Sequence, residues 1–435
     1  MILKKIVGTS GSRMLHAASN LLLLWMATNF LGADAWGLAG LILLDISLLM
    51  LVADIIANPI IFYASKRKPT QLQSMAFKWL ALVLIIAVIL FGTLYLVLPD
   101  VYFIIVPKGY GWHIIALTAL HSLFSINQYM LLGREKIRAF NSLFITQFSG
   151  TLLFMAVLIF IGGIRDERAF VYALYLSFIV ALIPGNVIVF KHFRSLGSSQ
   201  PEARFKELFA FGSMTQLSSI VHTLNKRLGF YVIRNFMGLA HLGVYHSGTQ
   251  VTEGMRLIGQ SIALVQVSSL ANRNDKAYAR ELSLQLLKFT VLLTFMAVLL
   301  LVMLPGSFFG IVFSKDFTGM KQVIFSLGLG VVALSANTIF SHYFSGTGRP
   351  KFNLYASLVG FTVTVPALFI FIPLFGIVGA GMAASLAYIA TAIYQWIIFK
   401  KDTNTRLSDL LIKKSDIQLA VQAVRSLTKT RKPDK

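Results

Sequence analysis

The stretch Phe30-Leu-Gly-Ala-Asp-Ala-Trp-Gly-Leu38 follows the first long apolar run of this chain. Phe236-Met-Gly-Leu-Ala-His-Leu-Gly-Val244 follows the seventh. Gly32 corresponds to Gly238, and Gly37 to Gly243 at the same offset. A second pair lies farther on: Tyr129-Met-Leu-Leu-Gly-Arg-Glu-Lys136 after the fourth run, and Tyr343-Phe-Ser-Gly-Thr-Gly-Arg-Pro-Lys351 after the tenth, with one insertion. Members of each pair are separated by an even number of runs, so they share one side of the bilayer. A six-run unit therefore occurs twice in the same orientation. That predicts two lobes related by an axis along the membrane normal, a plan in which transporters bind substrate between the repeats.

The runs are of spanning length. Apolar residues make up 56% of the chain, and a helix needs roughly 20 of them to cross a hydrocarbon core of about 30 Å. Twelve spans are predicted, at 8–31, 38–63, 75–98, 111–132, 137–161, 169–190, 205–237, 242–270, 282–304, 320–344, 352–372 and 376–399. The fold class is thus all-α integral membrane, twelve helices in two six-helix lobes. The lobes are expected at 1–195 and 196–402, with a basic tail at 403–435. In the tail Leu407, Leu410, Leu411, Ile417, Val421 and Val424 recur near helical spacing. This fits an amphipathic helix on the membrane surface, with a disordered basic tail as the alternative. The start at Met1 lacks a signal-peptide cleavage pattern.

The net charge of +22 does not point to nucleic acid, because the basic residues are dispersed over short loops. Lys66, Arg67 and Lys68, then Arg134, Lys136 and Arg138, then Lys191, Arg194 and Arg204 lie between alternate spans. The opposite loops carry little beyond Lys108, Arg165, Arg168, Lys315 and Lys321. The positive-inside rule places the first set and both termini in the cytoplasm, and suits contact with anionic membrane lipids. The chain has no cysteine, which excludes disulfides and thiolate chemistry. It has no phosphate-binding Gly-rich loop with Lys-Ser/Thr, no metal-spaced His/Asp/Glu cluster and no nucleophile elbow. A non-enzymatic transporter without cofactor or metal is expected, driven by an ion gradient, the membrane potential or consumption of its product.

Ionisable residues at bilayer depth are costly and mark candidate sites. Arg13, His16 and Asn20 share one face of the first span, although Arg13 is near enough to its end to snorkel. Asp45 in the second span is either a coupling site or the partner of a cation such as Arg13, and pairing is favoured. His121 in the fourth is either a hydrogen-bonded interior residue or a proton carrier. Gln216, Ser219, Thr223, Lys226 and Arg227 share a broad face of the seventh span. Gln250, Glu253, Arg256 and Gln260 follow in the eighth, with Glu253 and Arg256 spaced to pair. These cations either hold the second lobe together or offer a surface for a diphosphate and sugars, guanidinium matching phosphate oxygens in bidentate fashion. Coupling to H+ or Na+ would act through Asp45, His121 or Glu253.

The chain resembles the polysaccharide (O-antigen-type) flippases of the multidrug/oligosaccharidyl-lipid/polysaccharide exporter superfamily. The resemblance is carried by Leu31-Gly-x-x-x-x-Gly37, Met237-Gly-x-x-x-x-Gly243, Gly133-Arg134, Gly348-Arg349-Pro350 and Leu374-Phe-Gly-Ile-Val-Gly-Ala-Gly-Met-Ala-Ala384. It covers nearly everything before Lys400. It implies lobes that rock around a central cavity in a bacterial cytoplasmic membrane. It also implies transfer of an undecaprenyl-diphosphate-linked oligosaccharide to the outer leaflet, alongside other glycan-assembly membrane proteins. A cation-coupled multidrug antiporter on the same fold is the alternative.

Overall fold

The computed structural model describes residues 2–194, 201–255, 266 and 275–410. The first half contains α1 (Ile2–Phe30), α2 (Ala33–Ala57), the short α3 (Ile60–Tyr63), α4 (Pro69–Val97) and the short α5 (Pro99–Ile105). It continues with α6 (Gly111–Gly133), α7 (Ile137–Phe160) and α8 (Glu167–Arg194). The second half contains α9 (Phe205–Met237), α10 (Leu239–Gly254), α11 (Lys276–Met303), the short α12 (Gly306–Phe313), α13 (Met320–Gly346) and α14 (Lys351–Thr403). Eight of these stretches are long and apolar enough to span a bilayer by composition alone. One is α14, which contains two predicted spans. Its helical geometry breaks at Gly376, φ 61° and ψ −136°, and a Cβ added at Gly360 would fall 2.5 Å from the Thr391 hydroxyl. The halves of α14 thus lie side by side as a hairpin.

Differences from the predicted spans are local. The second span starts at Ala33 rather than Leu38 and is interrupted at Asn58-Pro59 before α3. The ninth starts at Lys276, where the Asp275 carboxylate accepts the backbone N–H groups of Ala277 and Tyr278 and so caps the helix. The eighth is described through α10 to Met255 and again at Gln266. Arg256, Gln260 and the rest of that span lie outside the described residues, as does the tail beyond Leu410. Leu407–Leu410 form a 3₁₀ turn, and Arg280 holds it through a 2.7 Å bond to Asp409.

The repeat is visible in the backbone. Gly32 and Gly238 precede α2 and α10 with nearly the same conformation, φ 83° with ψ 176° and φ 88° with ψ 179°. Positive φ of that kind is open to glycine at no Cβ cost. One turn into each helix the relationship becomes a contact. A Cβ on Gly37 would sit 2.1 Å from the Leu239 carbonyl oxygen, and one on Gly243 would sit 2.0 Å from the Ala33 carbonyl oxygen. The same pair of positions meets the same pair from both sides, as a pseudo-two-fold axis through the crossing requires. Small residues let helix backbones approach this closely inside a membrane.

In the first half, α7 packs on α1 and α8, and α6 packs on α8; in the second, α13 packs on α11 and α14, and α9 on α14. Between the halves, α2 meets both α10 and α9. Gly212 of α9 abuts the Ile55 carbonyl so closely that a Cβ would lie 1.7 Å from it. At the basic end, Arg67 pairs with Glu207 at 3.0 Å, and Gln71 accepts the Ala203 N–H at 2.9 Å. Outward-facing side chains such as Ile85, Ile89 and Leu90 of α4 are more than half exposed. Helices meet this requirement of a lipid-facing surface because their backbone polar groups are satisfied internally.

Candidate transport site

The seventh span places Lys226 and Arg227 on α9 in the interior, where α10 brings Glu253 to meet both. Lys226 Nζ lies 2.5 Å from Glu253 Oε2. Arg227 Nη2 reaches the same oxygen at 3.4 Å, while its Nη1 donates to the Thr249 hydroxyl at 3.2 Å. The guanidinium also stands over the Phe230 ring, 5.1 Å from its centroid, an arrangement that favours a desolvated cation. All three charged side chains are largely buried, with Lys226 and Glu253 each 12% exposed. One carboxylate oxygen therefore receives two cations. Coulombic attraction is strong here because little water screens it, and removing any one partner is correspondingly costly.

Beside this group, His246 of α10 joins the two halves. Its ring lies 5.2 Å from Trp36 of α2 and 5.3 Å from Phe230 of α9, and Gln250 Nε2 is 2.8 Å from its Nε2. Gly40 makes room for it, since a Cβ there would come within 3.0–3.2 Å of the imidazole. Gln216, two to three turns earlier on α9, is buried and leaves its Oε1 without a hydrogen-bond partner.

The predicted residues divide into separate groups. Glu253, Lys226 and Arg227 come together on α9 and α10, while Gln250 of α10 bonds to His246. The predicted partner of Glu253, Arg256, lies outside the described residues, and the described partners are the two cations of α9. His16 and Asn20 stay on α1. The His16 ring stacks on Phe148 at 5.0 Å and meets Phe144 edge-on at 4.9 Å, with Asn20 Nδ2 at 3.3 Å. The Arg13 side chain lies outside the described residues. Asp45, for which a cation such as Arg13 is the favoured partner, accepts a short hydrogen bond from the Tyr231 hydroxyl of α9, with the positive charge of Arg234 nearby. This contact crosses between the halves. His121 packs against Phe178, centroids 4.6 Å apart. Among the described residues no group of three or more His, Asp or Glu is arranged to hold a metal ion.

Sequence reasoning passed over Trp36, Phe230, Tyr231 and His246. Three are aromatic residues that read as core. His246 left one usable signal, four residues before Gln250 and three before Thr249 on the most polar helix face of the chain.

The chain is a two-fold-related bundle of long apolar helices with polar residues grouped in its interior. Solved structures share this architecture. The chain superposes on an inward-facing multidrug resistance MATE family transporter of the MOP superfamily with a TM-score of 0.69, covering 92% of this chain and 98% of that one at 16% identity. It superposes on the lipid II flippase MurJ in an inward closed conformation with a TM-score of 0.68, covering 100% and 94% at 16% identity. The chain belongs to the polysaccharide biosynthesis protein family, whose model matches residues 27–322. Two curated relatives are a probable low-salt glycan biosynthesis flippase, Agl15, of Haloferax volcanii and the capsular polysaccharide biosynthesis protein CapF of Staphylococcus aureus. Identity to Agl15 is 23% over 52% of this chain and 48% of the relative; identity to CapF is 22% over 46% and 51%. The chain thus spans about half the length of the curated relatives it matches.

Proposed function

We propose that the protein is a flippase that moves an undecaprenyl-diphosphate-linked oligosaccharide from the cytoplasmic to the outer leaflet for surface polysaccharide assembly. The observation that carries this reading is the meeting of Lys226 and Arg227 on one carboxylate, in the interior of a polysaccharide biosynthesis family member. A diphosphate cannot cross hydrocarbon unaided. The prenyl tail can stay in the bilayer while the charged headgroup needs an interior that answers charge with charge. Guanidinium and ammonium do so, the first in bidentate fashion and the second as a point charge. Glu253 holds them in place when no phosphate is present, and a phosphate arriving there competes for the same donors.

In this account the halves 1–195 and 196–402 act as two lobes, the basic side faces the cytoplasm, and both termini lie there. Alternating access then follows from rocking the lobes about their seam. Asp45, His121 and Glu253 are the candidates for H+ or Na+ coupling, and Asp45 and Glu253 stand on the seam-forming helices α2 and α10. Deletion of the gene tests the reading. Lipid-linked repeat units should accumulate on the cytoplasmic leaflet and surface glycan should disappear. Normal display in a strain with no second flippase, together with new sensitivity to cationic drugs, would replace this reading with the antiporter.

A further inference from the structure

A polar cavity of about 330 Å³ lies inside the second half between α9, α13 and α14. Its volume is at the lower end of the roughly 300–1,000 Å³ usual for small-molecule sites. Its walls are unusual for a membrane interior. Only Leu334 and Ala356 among the lining side chains are apolar; the rest carry hydroxyls, amides or imidazoles, and none is Asp, Glu, Lys or Arg. Such a wall suits neither a greasy cation nor a phosphate. It suits a neutral ligand rich in hydroxyl groups.

Two amides sharpen the point. Asn337 donates its Nδ2 to the Tyr388 carbonyl at 3.2 Å, and Gln395 donates its Nε2 to the Ser341 hydroxyl at 3.0 Å. Both side chains line the cavity, are at least 95% buried, and leave their amide oxygens without a hydrogen-bond partner. A buried acceptor without a donor is unfavourable, and native proteins keep few of them. The nitrogens fix the amides, so what the site lacks is donors, and a sugar supplies O–H groups.

The position also fits. Ser219 and Thr223 line the cavity, and with Lys226 they fall on one face of α9 at intervals of four and three residues. At 1.5 Å of rise per residue, the cavity begins about 5–10 Å along α9 from Lys226, toward the basic side. We propose that this cavity is a saccharide subsite, which takes a neutral sugar ring of the lipid-linked glycan while Lys226 and Arg227 take the diphosphate. The proposal rests on the flippase reading.

The test measures binding to the full chain in nanodiscs, using undecaprenyl diphosphate and the same lipid carrying one glucose, galactose or N-acetylglucosamine. At least one sugar should tighten binding to the wild type by about tenfold, the worth of one or two net hydrogen bonds. N337L with Q395L keeps the side-chain volume while removing the acceptors, and should abolish that gain and leave sugar-free binding within about twofold. S219L, which intrudes on the cavity from α9 without touching the amides, should do the same and serves if the double variant does not fold. R227A should weaken sugar-bearing and sugar-free lipids alike. A wild type that binds the diphosphate with no gain from any sugar would overturn the proposal and leave the flippase reading standing. So would equal weakening of both lipids by N337L/Q395L, or radioactive Na+ binding lost in N337L with the sugar gain intact. A wild type that binds neither lipid would overturn the flippase reading and this proposal with it.

Discussion

Substituting Gly37 with alanine puts a methyl group where none fits. Its Cβ would lie 2.1 Å from the Leu239 carbonyl oxygen and 2.8 Å from the Gly243 nitrogen. Ordinary contact begins at 3.4 Å, so α2 and α10 must separate by about 1.3 Å, the difference between those distances. Neither obstacle is a flexible side-chain tip; both are backbone. Overpacking of this kind costs about 1–3 kcal/mol. The penalty falls only on the conformation in which α2 and α10 cross, so it should favour any conformation that parts them by about 5–150-fold. Spin labels on D34C and H241C, at the exposed mouth of the crossing, would report the separation by pulsed electron resonance, and the chain has no native cysteine to interfere. G37A should add a longer distance population. G243A should match it, because its Cβ meets the Ala33 carbonyl at 2.0 Å in the symmetric arrangement. G92A in α4, with nothing within 4 Å, is the control. Unchanged distances in G37A and G243A would refute the idea that this crossing limits separation of the halves.

Glu253→Gln removes the carboxylate shared by Lys226 and Arg227, and should lower stability by up to about 3–5 kcal/mol, read as a drop in melting temperature in detergent. Adding Lys226→Met should recover part of that loss; no loss at all would mean the group is not a buried ion cluster. Arg67→Glu at the basic end should cost less than about 1 kcal/mol, shrink with added salt, and be repaired by Glu207→Arg, as expected of a part-exposed pair. Asp166, in the loop before α8, is held below the usual carboxylate range by the hydrogen bond from Arg168. A depressed folded value means its contribution is present above the ordinary Asp pKa of about 3.9 and is lost as pH falls through the lowered one. Asp166→Asn should therefore lower stability slightly at neutral pH and make no difference in strong acid, by thermal melting across pH. Impermeant maleimide should label R165C in intact cells and K66C only after permeabilisation; the reverse pattern would invert the topology.

Much of the fold was legible because membrane helices announce themselves locally. The seventh span, Phe205–Met237, and the start of the tenth at Met320 match the structure, since the apolar run and the flanking turn residues coincide there. The repeat was legible from Gly32, Gly37, Gly238 and Gly243, because glycine at a tight crossing is a backbone requirement. The site was legible only in part. Spacing along one helix offers Arg256, outside the described residues, as a partner for Glu253, and gives no sign of the two α9 cations that also meet it. Asp45 illustrates the same limit. Periodicity along a helix says which side chains share a face, and not which helix that face will meet, so Tyr231 could not be matched to Asp45 in advance. The polar cavity around Asn337 and Gln395 is assembled from α9, α13 and both halves of α14, and no single stretch of sequence signals it.

Under the proposed function, the interior cations carry a diphosphate-linked glycan across the bilayer. Proteoliposomes holding the purified chain and undecaprenyl-diphosphate-linked glycan with a fluorescent sugar would test it most directly, through the fraction quenched by an impermeant reductant over time. The protein should make the inner-leaflet glycan accessible, Arg227→Lys should retain part of the rate, and Arg227→Glu should return it to that of empty liposomes. Transfer by Arg227→Glu at the wild-type rate, or no transfer by the wild type under any imposed H+ or Na+ gradient or membrane potential, would contradict it.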